Sequence, residues 1–464
     1  MIKNSFGAIL LIFFTFNTTI VAQQLLSLEQ CRQLAIDNNK ALKIASEQER
    51  VAYYEKKDAL TKFFPEIQFV GGYLHNQKNL HLIPSSAIPS SIPLPVEIPG
   101  IGSSIPVDES IRNGIWELGK VDIKNIWAGG FNLTQPIFMG GKIVAYNDLR
   151  SYAEELAKTM KETQMTDVIV EVDNAYWQVV SVSNKKKLAE SYVKLMQKMD
   201  SDISAMEQEG VVTKADRLSV NVKLNEAEMT LTKAENGLSL AKMLLSQICG
   251  LEISDAITLK DEEIQSIATN GDTDPIYNID EALENRTEVR SLELATKIYE
   301  KQEKIALADF MPNIAFTANY LWTNPNLFDG YEKKFGGMWN IGVMVKVPLN
   351  FVSNSSKLSA AKAQTNIKRY ELAEAKEKIT LQINQSAYKL SEAKKKLNAA
   401  QKNTEKADEN LRYANVGFEE GVIAASDVMA AHTAWISAHS DLIDAQIDIV
   451  LSRIYLNKAL GRKL

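Results

Sequence analysis

Eleven residues alternate from Trp339 to Leu349. Trp339, Ile341, Val343, Val345, Val347 and Leu349 point one way, and Asn340, Gly342, Met344 and Lys346 point the other. This is the period of a strand with one apolar face and one wet face. Pro348 stops its ladder because it has no N–H to donate. A helix-rich run without proline then extends from about Lys357 to Glu420 and ends at Gly421. At about 1.5 Å per residue such a helix is roughly 95 Å long, beyond the usual globular range. A strand of this kind feeding so long a helix does not belong to an ordinary soluble enzyme.

The same succession occurs twice. Leu28 to Phe64 reads as helix with a break at Asp37-Asn38-Asn39-Lys40, and residues 280–311 repeat it with the break at Glu284-Asn285-Arg286-Thr287. Phe64-Pro65 answers Met311-Pro312, and alternating strands follow both prolines. Each returns through a loop to a second strand, Trp127 to Gln135 in the first half and Trp339 to Val347 in the second; Pro136 then answers Pro348. A long helix runs to Gly210 and another to Gly421, and return helices run to Gly250 and Gly461. Matched prolines, tip glycines and terminal glycines define an internal repeat. The expected organisation is a first repeat over 23–250, with a strand hairpin at 66–135, and a linker over 251–279. A second repeat covers 280–464, with its hairpin at 313–348. The first hairpin loop, about 75–126, holds six of the twelve prolines and reads as extended or mobile rather than helical.

Residues 1–22 carry Lys3, an apolar stretch from Phe6 to Phe16 and Val21-Ala22, which reads as a secretory signal peptide. The net charge is −6, and removing Lys3 leaves 51 − 58 = −7, so neither charge nor composition points to a nucleic-acid partner. Beyond the signal no window approaches the roughly 18 apolar residues of a membrane helix. Any span of the mature chain must be made of strands. Cys31 and Cys249 are the only cysteines. They read as buried thiols that pack as small hydrophobes, with their pairing left open by an exported, oxidising context.

Aromatic residues mark both ends of the strands. Tyr73, Trp127, Tyr320, Trp322 and Trp339 sit at the loop ends, and Phe63, Phe64, Phe138, Phe310 and Phe351 at the proline ends. Two aromatic levels separated by about 9–11 residues of tilted strand match the two interfaces of a bilayer. Four strands cannot close a barrel, and open edges in lipid are prohibitive. Several copies must therefore share one wall, most simply with cyclic symmetry.

With the repeat laid out, the chain resembles the TolC family of outer-membrane efflux proteins over essentially all of its mature length. The residues that carry the resemblance are the junction Gln135-Pro136-Ile137-Phe138-Met139-Gly140-Gly141, the tips Glu209-Gly210-Val211-Val212-Thr213-Lys214-Ala215-Asp216 and Phe418-Glu419-Glu420-Gly421-Val422-Ile423-Ala424-Ala425-Ser426-Asp427-Val428, and the ending Asn457-Lys458-Ala459-Leu460-Gly461. The resemblance implies an α+β membrane protein: a homotrimer whose four strands per chain form a twelve-stranded β-barrel, continuous with a long periplasmic α-helical barrel. It places the chain in the outer membrane of a Gram-negative bacterium. Pro65, Pro136, Pro312 and Pro348 then mark the barrel-to-helix junction. The tips around Gly210, Val211, Gly421 and Val422 would meet a periplasmic adaptor docked on an inner-membrane pump of the resistance–nodulation–division type. Substrates would pass without covalent chemistry.

Asp216 and Asp427 both stand six residues after a tip glycine and are the candidate periplasmic gate, six carboxylates in a trimer. The competing reading is that each serves only in the first turn of a helix, and Thr213-x-x-Asp216 has the spacing of a capping pair. The sequence departs from the family's pattern nearby. Where the best-known members carry an arginine two residues past the second tip glycine this chain has Ile423, and Ala430 replaces a second aspartate. The residues of a salt-bridge lock are therefore absent at these two positions, and closure is expected to rest on packing.

No HExxH, CxxC or glycine-rich phosphate loop occurs, so neither an enzyme nor a cofactor is expected. His432 and His439, seven apart on a helix, read as a packed or solvated face rather than a metal pair. Two other readings remain: a duct for type I protein secretion, and a trimeric stalk that transports nothing. The polar residues Asn132, Thr134, Asn340 and Lys346 favour an open, wet lumen over the stalk.

Overall fold

The computed structural model describes residues 25–98, 102–263 and 277–462. The expected signal peptide, 1–22, and Gly271 and Pro275 of the expected linker lie outside them. In order the elements are β1 (Leu25–Leu26), α1 (Leu28–Asn38), α2 (Lys40–Thr61), β2 (Glu66–His75), β3 (Leu80–His81), β4 (Ser91–Ile98), β5 (Gly102–Pro106), α3 (Glu109–Leu118), β6 (Lys120–Val121), β7 (Asn125–Met139), α4 (Lys142–Gln208) and α5 (Lys214–Ile248). There follow β8 (Thr258–Leu259), α6 (Ile279–Asn285), α7 (Thr287–Ala308), β9 (Asn313–Asn324), β10 (Gly336–Lys346), α8 (Phe351–Glu419) and α9 (Ala425–Ala459). Two helices, two long strands and two more helices thus occur in the same order in each half.

The chain divides into two units. One contains residues 50–156 and 292–371 and holds a four-stranded antiparallel sheet in the order β10-β9-β7-β2. The helix segments of this unit bury small residues, among them Ala52, Ala59, Ala145, Ala308 and Thr365. Ion pairs run beside these contacts, Lys56 to Glu154 at 2.8 Å and Lys301 to Asp148 at 2.6 Å.

The other unit contains the remaining residues and is helical apart from a two-residue parallel pairing of β1 with β8. Its first core gathers Cys31, Ala35, Val168, Val172, Tyr176, Val179, Leu245, Cys249 and Leu259. A second gathers Ala282, Val289, Ile379, Ile383, Leu390, Leu456 and Leu460. The breaks expected near residues 38 and 286 are present, and each clamps the end of a return helix. Asn39 Nδ2 donates to the Ile248 carbonyl at 2.8 Å, and Arg286 Nη1 donates to the Lys458 and Ala459 carbonyls at 3.1 and 3.2 Å. Each satisfies acceptors that a helix end leaves open. Cys31 and Cys249 are buried free thiols, with Cys249 Sγ 3.5 Å from the Cys31 carbonyl it donates to. Hydrogen bonding with Cys249, then burial, pushes the Cys31 thiol up.

Three boundaries differ from the sequence reading. The loop between β2 and β7 is not wholly extended, since α3 forms within it. Asp108 caps α3, accepting from the Ser110 N–H at 2.7 Å, no proline follows Pro106 in this stretch, and Gly119 ends the helix. α8 starts at Phe351 rather than near Lys357. Asn354 Nδ2 donates to the Asp309 carbonyl at 2.6 Å and fixes the first turn. β7 also runs through Pro136 to Met139, with its register on β9 shifted between Pro136 and Phe138. β2 pairs with β7 only as far as Thr134, so Pro136 lies where β7 has no partner on that side and its missing N–H costs no ladder bond.

Candidate functional site: helical tips and sheet

At the first tip α4 ends at Gln208, and Gly210 takes φ +76°. Only a residue without Cβ enters that region freely. The Gly210 N–H reaches the Glu207 carbonyl at 3.0 Å and the Val211 N–H reaches Met206 at 2.9 Å, the closing pattern of a left-handed helix cap. The second tip repeats it: Gly421 has φ +76°, and the Val422 N–H meets the Gly417 carbonyl at 2.8 Å. Val211 and Val422 are 72% and 79% exposed, apolar knobs at the two turns.

The two aspartates then part ways. Thr213 is the N-cap of α5 and forms a reciprocal capping box with Asp216. The Asp216 N–H donates to Thr213 Oγ1 at 3.3 Å, while Asp216 Oδ2 accepts from the Thr213 N–H at 3.0 Å and its hydroxyl at 2.7 Å. The hydroxyl, and after it the backbone N–H, hold the Asp216 carboxyl below the usual range. At the second tip the N-cap is Ala424, which has no side-chain oxygen. Among the described residues the exposed Asp427 carboxylate has no hydrogen-bond or ion-pair partner. Sequence symmetry does not foresee this difference, although Thr213 against Ala424 is its signal.

The tips are bound together by apolar packing. Met196, Met199, Ile203 and Val220 from the first pair of helices share a core with Ala414, Ala425, Val428 and Ala431 from the second, and Val212, Phe418 and Ile423 pack against it. Ile423, where the resemblance led one to look for an arginine, fills the space beside Gly417: a Cβ there would come within 2.5 Å of Ile423 Cδ1. His432 is 2% exposed, its Nδ1 has no partner, and burial pushes its pKa down to about 4. It lines a cavity of about 410 Å³ with Leu195, Lys198, Met199, Asp202 and Phe418. His439 turns elsewhere and meets Asp408 at 2.9 Å. No group of three His, Cys, Asp or Glu among the described residues could hold a metal ion.

The junction prolines occupy helix-to-strand or strand-to-helix turns, apart from Pro136 inside β7. Pro65 lies directly before β2 and Pro312 directly before β9, while Pro348 follows β10. Two asparagines of the long helices hold the neighbouring helix ends: Asn147 Nδ2 donates to the Ala59 carbonyl at 2.9 Å, and Asn354 does the same for Asp309.

In the sheet the register sorts side chains cleanly. Tyr320 pairs with Trp339 and with Phe131, Phe131 with Phe69, and Trp127 with Tyr73. One face is therefore apolar and aromatic from edge to edge. It is also uncovered: Ile67 is 65% exposed, Ile341 63% and Trp339 69%. The opposite face carries a row of amides across all four strands, Gln68, Asn132, Asn319 and Asn340, which are register partners in turn. Asn132 Nδ2 donates to Asn319 Oδ1, and Asn319 Nδ2 to Asn340 Oδ1 at 2.8 Å. Alternation alone marks Asn132 and Asn340 as wet-face residues; the continuous row needs the register.

Among the described residues no helix is long and apolar enough to cross a membrane. Residues 278–462 match the family model for outer membrane efflux proteins. A search of curated proteins found no match. Among solved structures, the outer-membrane channel CmeC of Campylobacter jejuni superposes with TM-score 0.76 at 15% identity, over 94% of this chain and 85% of that one. The outer-membrane protein VceC of Vibrio cholerae gives 0.71 at 14%, over 94% and 96%. The open-state MtrE channel of Neisseria gonorrhoeae gives 0.71 at 15%, over 94% and 89%. The chain as a whole has the fold of these outer-membrane channels, and its residues 278–462 match the outer membrane efflux protein model.

Proposed function

We propose that this protein is the outer-membrane duct of a tripartite efflux system. The sheet carries the reading: a four-stranded antiparallel sheet with an uncovered apolar face, an amide-lined opposite face, and no partner along β2 or β10 among the described residues. An uncovered aromatic-apolar face suits lipid, and a polar opposite face suits a water-filled lumen. Unpaired edges do not survive in hydrocarbon, so three copies close one twelve-stranded barrel. The matching order of elements in the two halves is an internal repeat that supplies two hairpins per chain to this wall. The helices extend into the periplasm as an α-helical barrel, with Pro65, Pro136, Pro312 and Pro348 at the change from strand to helix.

The exposed Val211 and Val422, beside Gly210 and Gly421, present the tips to a periplasmic adaptor. The adaptor couples the duct to an inner-membrane pump of the resistance–nodulation–division type. Asp216 and Asp427 form the gate, in which Asp427 is the carboxylate free to meet passing ions. Closure rests on the packing of Val212, Phe418 and Ile423. The protein performs no covalent chemistry. Planar-bilayer recording of the purified protein tests the reading: discrete, cation-preferring channels are expected, and a detergent-free soluble monomer with no conductance overturns it.

A further inference from the structure

The two free edges of the sheet differ in one respect. Glu66 at the start of β2 and Lys346 at the end of β10 are the only Asp, Glu, Lys or Arg residues in β2, β7, β9 and β10. They lie on the same amide-bearing face, on opposite edges, and neither forms an ion pair with a described residue. Glu66 accepts only from Gln68 Nε2, at 2.8 Å. We propose that β2 of one copy pairs antiparallel with β10 of the next so that Glu66 faces Lys346 across the seam. This inference rests on the trimeric barrel proposed above.

Three independent features select that register. β2 has ten residues and β10 eleven. With Glu66 opposite Lys346, every residue of β2 gains a partner, ending with His75 opposite Gly337. Wet-face residues must meet wet-face residues, so the register can slip only by two, and each slip leaves strand residues unpaired. The same alignment sets Tyr73 opposite Trp339 on the apolar face, continuing the Tyr73–Trp127 contact at 4.7 Å around the wall.

The third feature is tilt. Within one chain the partners of Glu66 across the sheet are Thr134, Thr317 and then Gly342. Across the seam its partner is Lys346, four residues further along β10. Four residues per copy, three times around twelve strands, give a tilt of about 35° for a rise of about 3.3 Å per residue and a spacing of about 4.8 Å, within the range of closed barrels. A seam that joined Gln68 to Asn340 would close the amide row into a flat ring without tilt, against the twist of strands. Joining like edges would leave Glu66 without a lysine and Lys346 without an acid.

The test is cross-linking of the full-length protein in outer membranes. Glu66→Cys with Lys346→Cys is expected to form covalent dimers and trimers on non-reducing gels, absent from either single variant; Cys31 and Cys249 remain buried. Linkage instead through Gln68→Cys with Lys346→Cys overturns the register, and no linkage in a protein that native mass spectrometry shows to be trimeric overturns the seam. A monomer by that measurement removes the barrel as well. Glu66→Lys alone is expected to lower the temperature at which the trimer dissociates, and Glu66→Lys with Lys346→Glu to restore it; failure of restoration overturns the ion pair.

Discussion

Arg32 and Asp173, 141 residues apart, meet in a two-point ion pair: Nε to Oδ1 at 2.7 Å and Nη2 to Oδ2 at 2.6 Å. The Asp173 side chain is wholly buried, and its pairing with Arg32 ties α1 to α4. Burial pushes its carboxyl up, against the pull of Arg32. Arg32→Ala would leave a buried carboxylate alone, and a loss of about 3–5 kcal/mol is expected. Thermal unfolding followed by circular dichroism at pH 7 measures it. Replacing Asp173 by Asn in the same variant should recover part of the loss, since the unpaired charge is then gone.

His432 makes the tip core acid-sensitive. It is buried neutral with its pKa lowered to about 4, whereas the unfolded chain protonates it near 6.5. The unfolded state therefore binds more protons between these values. Stability is full above pH 6.5 and declines as the pH falls toward 4, by about 3 kcal/mol in total from this residue. His432→Gln should flatten that slope. A titration of unfolding midpoints from pH 7.5 to 4.5 that is the same in both proteins would show that water reaches the ring.

The aspartates at the tips should respond differently to removal. Asp427→Ala takes away a carboxylate with no local partner and is expected to reduce cation preference without changing thermal stability. Asp216→Ala removes a capping-box partner and should loosen the first turn of α5. Single-channel recording paired with hydrogen exchange at residues 214–218 separates the two, and conductance and selectivity left unchanged by Asp427→Ala would strike Asp427 from the gate.

Gly210 and Gly250 share a left-handed backbone but not its surroundings. Around Gly210 a Cβ would meet open space, so Gly210→Ala should cost only the conformational term, about 1–2 kcal/mol. At Gly250 a Cβ would come within 2.6–2.7 Å of the Asn38 side chain and backbone. Gly250→Ala must push α1 away from α5 and should cost clearly more. Comparing the two unfolding midpoints checks the order.

The parts of this fold that were legible in the sequence are those decided by local backbone chemistry. Gly210, Gly421, Gly250 and Gly461 mark helix ends because only glycine adopts their backbone freely, and Pro65 and Pro312 stand immediately before strands because proline tolerates an extended start. Strand faces were legible from alternation. Features set by distant partners were not. Asn39 shows as a helix break, but the carbonyl it holds lies 209 residues away. α8 begins early because Asn354 finds Asp309, and β7 passes through Pro136 because β2 has already ended. At the site the positions of Asp216 and Asp427 could be read, but not that one carboxylate is occupied by Thr213 while the other is unengaged.

The excursion between β2 and β7 is closed at its neck. The Asn76 N–H meets the Lys124 carbonyl at 2.7 Å, and β3 pairs with β6 through Leu80 to Val121 and His81 to Lys120. Whatever happens beyond that clasp is mechanically insulated from the ladder below it. Residues 82–119 can therefore drift in length and chemistry over generations, or accept a grafted peptide, while the hairpin keeps its alignment.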